Sequence, residues 1–211
     1  MIVPTWQIDQ LKILTRGEIV AVLADLRRRG QRSPNARVNL IIFRLACCCG
    51  LRVSEIAGLR LDDVRLASER PHLRIRKETA KGRRGRRVPL WWDAGTLDDI
   101  TAWKGQRLAD GAAPSDPFVA SPQTARRAKP FSRFSLRRRF RTACKVLGLE
   151  RLEDLTIHHG RHTFISLALA GGRSLAEVRD AAGHGNVATT STYLHVAAHE
   201  VVKHGDVFGA P

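Results

Sequence analysis

Arg52 and Glu55 stand three residues apart in CGLRVSEIAGL, and His158 and Arg161 stand three apart in TIHHGRHTF. On a helix, positions three apart share a face, so each pair projects in one direction. Arginine carries a planar fork that makes two parallel hydrogen bonds to phosphate oxygens, and it stays charged at any relevant pH. Two arginines and a histidine brought together would bind one phosphate, with Glu55 orienting Arg52. Tyr193, in STYLHV, is the only tyrosine in 211 residues and follows His184 by nine positions.

These groups need elements to hold them. Thr15 and Glu18 form a Thr-x-x-Glu capping box ahead of Ile19, Val22, Leu23 and Leu26, which predicts a first helix ending near Gly30. Ser33-Pro34 reads as an N-cap followed by proline at the first helical position, and Val38, Ile41, Ile42 and Leu45 continue a second, buried helix to Gly50. Arg52 thus follows the end of a buried helix, where a guanidinium can leave the core, and a short third helix starts at Ser54. HLRIRK (72–77) and RRVPL (86–90) alternate like two paired strands around the basic turn KGRRGRR. Further helices are predicted over 93–109, 135–148, 158–170 and 174–182 and within NVATTSTYLHVAAHEVV, while 111–134 reads as a loop facing DNA. The class is mostly α with a small antiparallel β-sheet, an α+β fold.

Thirty-six Lys plus Arg against twenty Asp plus Glu give a formal net charge of +16. Neutralising phosphates releases counterions, so nucleic acid is the first partner such a charge implies. Arg83, Arg84 and Arg86 in the turn, with Arg137 and Arg138 on a later helix, are the expected DNA contacts. The apolar runs VNLIIF and LACCC are broken at Arg44 or ended at Gly50, well short of the ~20 residues a membrane span needs. MIVPTWQIDQ lacks the basic-then-apolar order of a secretory signal, so a cytoplasmic protein without a membrane partner is expected. Cys47, Cys48, Cys49 and Cys144 have neither metal-ligand spacing nor a disulfide framework, which predicts buried, reduced thiols.

Taken in order, CGLRVSEIAGLRLDDV, Lys81 ahead of RRVPL, HHGRHTFISLALAGG and AAGHGNVATTSTYLHV closely resemble the catalytic domain of the tyrosine recombinase family, the phage integrases and their bacterial relatives. The resemblance covers nearly the whole chain. It implies that Arg52 and Arg161 clamp a scissile phosphate, that His158 lies beside them, and that His184 bonds a non-bridging oxygen. It also implies that Lys81 protonates the leaving 5′-oxygen, that Tyr193 is the nucleophile, and that Glu55 supports the first arginine. The implied activity is site-specific recombination or integration of double-stranded DNA through a 3′-phosphotyrosine intermediate, with no metal and no cofactor. Self-association on DNA as a tetramer and a monomer when free go with it. The pattern begins by residue 14, so residues 1–211 are expected to form a single catalytic domain without the family's separate N-terminal DNA clamp, and 194–211 a tail that docks on a neighbouring subunit.

The chemistry suits these residues. Attack on a phosphodiester builds negative charge on the equatorial oxygens, and without a metal the protein must supply positive donors already in place. A phenol of pKa about 10 needs a proton acceptor, for which His158 is the natural candidate, and the leaving alkoxide needs an acid. Two departures stand out: His159-Gly160 occupies positions where the family commonly has Asp-Leu, and Ala182 one where it commonly has Leu. Two other readings compete. One is a metal-dependent nuclease built on the pairs His158/His162 and His195/His199; the other is a DNA-binding protein without catalysis.

Overall fold

The computed structural model describes residues 10–80, 82, 84–122, 129–194 and 208. Thr15 Oγ1 accepts from the Glu18 amide at 3.2 Å, and Glu18 Oε2 accepts from the Thr15 amide at 2.8 Å. This reciprocal cap starts α1 (Arg16–Gly30), which buries Ile19, Val22, Leu23 and Leu26. Ser33 caps α2 (Pro34–Phe43), whose proline at the first turn lacks only an amide that would have had no partner. The second helix does not run on as α to Gly50. From Arg44 to Cys48 it widens into a π-turn, with the Cys49 amide donating to the Arg44 carbonyl at 3.0 Å. Arg44, although buried, is fully engaged there by Asp93 (3.2 Å), Asp99 (2.8 Å) and Thr96 (3.0 Å).

Next come α3 (Val53–Gly58) and a sheet of three antiparallel strands in the order β1 (Val64–Arg65), β2 (His72–Ile75), β3 (Arg86–Pro89). Sequence patterning gave the β2–β3 pair but not β1, whose two residues are too few to show an alternation. α4 (Ala94–Ala109) is capped by Asp93. The segment expected to be a DNA-facing loop instead threads inward at Phe118, which is fully buried and whose amide donates to the Leu59 carbonyl at 2.8 Å.

α5 (Arg133–Ala143), the unanticipated short α6 (Leu149–Asp154), α7 (Ile157–Ala170), α8 (Leu175–Ala182) and α9 (Val187–Ser191) complete the described elements. Phe43 of α2 stacks on Phe140 of α5, ring centroids 6.0 Å apart, so truncating either to alanine should cost about 3–5 kcal/mol. α7 is the central helix, buried along Ile157, Gly160, Arg161 and the run Thr163–Leu169. It packs on the π-turn so closely that a Cβ on Gly160 would lie 3.0 Å from Ala46 Cβ and 3.0 Å from Cys47 Sγ. Gly160 therefore lets α7 and the π-turn pack at close range.

All four cysteines are free and buried, with Cys48 pushed up to about 11 and Cys144 to about 12, burial being the largest cause in each. Of the segment 194–211, only Leu194 and Phe208 are described, and Phe208 packs in this chain's own core, 5.8 Å from the Phe164 ring. Among the described residues, no helix is long and apolar enough to cross a membrane.

Candidate active site

Arg52 stands at the entry to α3. Its backbone amide donates to Glu55 Oε2 at 2.8 Å and its guanidinium to Glu55 Oε1 at 3.1 Å. One carboxylate thus caps the helix and holds the arginine. Glu55 is 1% exposed, and a carboxylate so buried is costly unless paired and hydrogen-bonded. Arg86 supplies the pairing, its Nη1 and Nη2 reaching Oε1 and Oε2 at 2.7 and 2.8 Å. Burial pushes the Glu55 carboxyl up, but the bonds from Arg86 and then Arg52 outweigh it, and the net shift is downward.

Arg86 was expected against DNA, and the structure corrects this. Its side chain is 7% exposed, and its Nε donates to the Ala181 carbonyl at 2.8 Å. The strand period explains the inward turn: Arg86 shares a face of β3 with fully buried Val88, whereas Arg87 between them is exposed. Arg84, Arg137 and Arg138 are exposed. Lys81 and Arg83 lie outside the described residues.

The C-terminal end of α8 gathers three guanidiniums. Arg86 donates to the Ala181 carbonyl, Arg161 to that of Ala182, and Arg52 to that of Gly183 at 3.5 Å. These carbonyls are the negative end of the helix and lack intrahelical partners, so cations from β3, α7 and α3 are drawn to one point. Gly183 closes the helix in the left-handed conformation with φ 69°, and a Cβ there would come within 2.7 Å of Arg86 Cδ. That turn delivers His184, whose Nδ1 pairs with Thr190 Oγ1 at 2.9 Å.

Arg161, 8% exposed, also donates to the Gly50 carbonyl at 2.8 Å, which ties α7 to the end of the π-turn. Burial, with Arg52 and Arg86 beside it, pulls Arg161 down to about 9. Three cations surround one carboxylate here, so the cluster is stabilised by an arriving anion. His158 is drawn down by burial and by Arg137, Arg161 and Arg52. His184 falls to about 4 through burial and the same three guanidiniums of the cluster.

Tyr193 is 5% exposed, and burial, opposed by Arg161, pushes its phenol up to about 12. Its hydroxyl bonds to Nδ1 of His162 at 2.6 Å, with the rings 5.7 Å apart and near-parallel at 27°, and the His184 ring lies 6.5 Å away. The nitrogen that meets the phenol is that of His162 rather than His158. Sequence reasoning noted His162 only as a partner in an i, i+4 histidine pair; the signal it carried was a further histidine directly after Arg161. Among the described residues, no three His, Cys, Asp or Glu side chains are grouped so as to hold a metal ion, and His195 and His199 lie outside them.

The profile of the phage integrase family matches residues 12–200. The tyrosine recombinase XerD of Pseudomonas putida is 30% identical over 210 residues, covering 92% of this chain and 63% of its own length. XerD of Lacticaseibacillus casei is 30% identical over 162 residues, covering 76% of this chain and 51% of its own length. The solved structure of XerH site-specific recombinase bound to difH substrate superposes with a TM-score of 0.68 at 20% identity, over 90% of this chain and 52% of that one. The chain thus spans roughly half to under two thirds of the length of these proteins. With the match running from the turn before α1 to past Tyr193, this chain belongs to the phage integrase family.

Proposed function

We propose that this chain is the catalytic part of a site-specific DNA recombinase or integrase, which cuts and rejoins double-stranded DNA through a 3′-phosphotyrosine without metal or ATP. The carrying observation is the cluster of Arg52, Arg161 and His184 beside Tyr193, where buried positive charge exceeds the one carboxylate present. In this reading a scissile phosphate takes the place of the missing anion. Tyr193 Oη attacks phosphorus, the bond to the 5′-oxygen breaks, and Lys81 gives that oxygen a proton. The arginines and His184 hold the charge that builds on the equatorial oxygens, while His158 lies beside them at the phosphate. Bond energy is kept in the tyrosyl ester, so a second 5′-hydroxyl can reverse the step.

Each chain has one tyrosine and can hold one such ester. Exchanging both strands of two duplexes needs four, which supports assembly of four copies on DNA from a free monomer. Arg84, Arg137 and Arg138 are proposed to contact the DNA backbone, and a DNA substrate fits a cytoplasmic location. The test is incubation with nicked suicide duplexes in EDTA, followed by a denaturing gel. A covalent band that persists in chelator and vanishes in Tyr193→Phe is expected; a band retained in Tyr193→Phe would overturn the nucleophile, and one abolished by EDTA would favour metal-dependent cleavage.

A further inference from the structure

We infer that His162 is a further catalytic residue, the acceptor that takes the Tyr193 proton as the phenol attacks phosphorus. The inference rests on the recombinase reading above. It starts from the 2.6 Å bond between Tyr193 Oη and His162 Nδ1 and from the near-parallel rings, which fix the ring nitrogen on the reacting oxygen. With its hydrogen on Nε2, the tautomer this role needs, His162 presents the Nδ1 lone pair to accept the hydroxyl proton.

Position supports the role. His162 stands on the buried central helix next to Arg161, so the group that holds the phosphate and the group that holds the phenol are neighbours on one rigid element. The charged and titratable groups around it are His158, His159 and Arg161 of α7, Lys12 of the turn before α1, and Tyr193 and His184 from the α8–α9 region. Burial and then His159, Arg161, His158 and Lys12 draw His162 down to about 4, so it is neutral and able to accept at physiological pH. A phosphate docked on Arg161 and Arg52 offsets one of these cations, and the base strengthens when substrate arrives.

The step balances. The Oη–H bond breaks, the proton passes to Nδ1 to give imidazolium, and Oη bonds to phosphorus as the 5′-oxygen leaves with a proton from its own acid. In rejoining, the imidazolium returns its proton to the departing phenolate.

Tyr193 being the only tyrosine, growth on 3-fluorotyrosine places a more acidic phenol at this position alone. Covalent adduct formation would be timed on nicked duplexes recovered from a randomised pool by the unaltered chain, for that chain, His162→Phe and His162→Gln. His162→Phe should slow adduct formation by about 100-fold at neutral pH with DNA affinity unchanged. The deficit should shrink as pH rises and shrink again with fluorotyrosine. Should the phenylalanine variant fail to fold, the same comparisons on His162→Gln decide the question. Adduct at the unaltered rate, or a loss that neither pH nor the fluorinated phenol alters, overturns the inference while the recombinase reading stands. No adduct from the unaltered chain on any duplex overturns both.

Discussion

A carboxylate as buried as Glu55 is tolerable because two arginines share it, and removing one of them tests how much each contributes. Arg86→Met strips the forked pair and leaves only Arg52, so urea unfolding should show a loss of about 3 kcal/mol. Arg86→Lys should recover little, since a single ammonium cannot span both oxygens and the Ala181 carbonyl. Glu55→Leu combined with Arg86→Met should regain most of the stability and none of the cleavage; equal stability of Arg86→Met and the unaltered chain would refute the pairing. The histidines give a pH signature. His162 and His184 fall to about 4 in the folded chain against an ordinary value of 6.5, so the unfolded chain takes up protons that the folded one refuses. Their contribution is complete above about pH 6.5 and drains away as pH falls toward 4, on the order of 1–2 kcal/mol each after allowing for solvent screening. Thermal melts across that window should show a falling Tm, and His162→Phe should flatten the slope. A duplex bound at the site supplies the missing negative charge and should flatten it too.

At the level of elements, Gly160 makes the sharpest prediction. Gly160→Leu restores the residue the family commonly carries, yet the close approach of α7 to the π-turn leaves no space for a side chain. A loss of about 1–3 kcal/mol in denaturant unfolding is expected, and an unchanged midpoint would show that the two backbones separate freely. Elements with their own chemical punctuation were legible in the sequence: the Thr15/Glu18 box and Ser33-Pro34 appear where the residues put them. The π-turn was not, because Arg44–Cys48 looks like continued helix until one knows that Arg44 must reach Asp93 and Asp99 across the core. β1 and α6 were too short to carry a period. Arg52, Arg161 and His184 were named from spacing and resemblance, yet nothing local says that three arginines meet the last carbonyls of α8. Arg86 was misread as surface because its basic neighbours outvoted the two-residue period it shares with Val88. The His162 contact joins residues 31 apart in sequence, which no helical or strand period encodes.

For the molecule as a whole, the charge is distributed as usefully as it is large. Several of the described carboxylates are committed to arginines of the same chain: Asp25 to Arg28 and Arg29, Asp63 to Arg74 and Arg76, Asp93 and Asp99 to Arg44, Glu18 to Arg151. Much of the excess of +16 is left to side chains that face outward, such as Arg84, Arg87, Arg137, Arg138 and Arg141. A polyanion meeting that surface displaces solvent counterions instead of breaking internal pairs, so binding should weaken steeply with salt while folding does not. Each phosphate contact contributes about 0.9 to the slope of log affinity against log salt on duplex DNA. Arg137→Gln with Arg138→Gln should therefore lower that slope by about 2, measured by anisotropy on a labelled duplex between about 50 and 200 mM salt. The same pair should change unfolding stability by no more than about 0.5 kcal/mol, because neither residue is buried. An unaltered slope would remove Arg137 and Arg138 from the DNA face. A lower slope with unchanged folding would place Arg137 and Arg138 on the DNA face without a part in the fold.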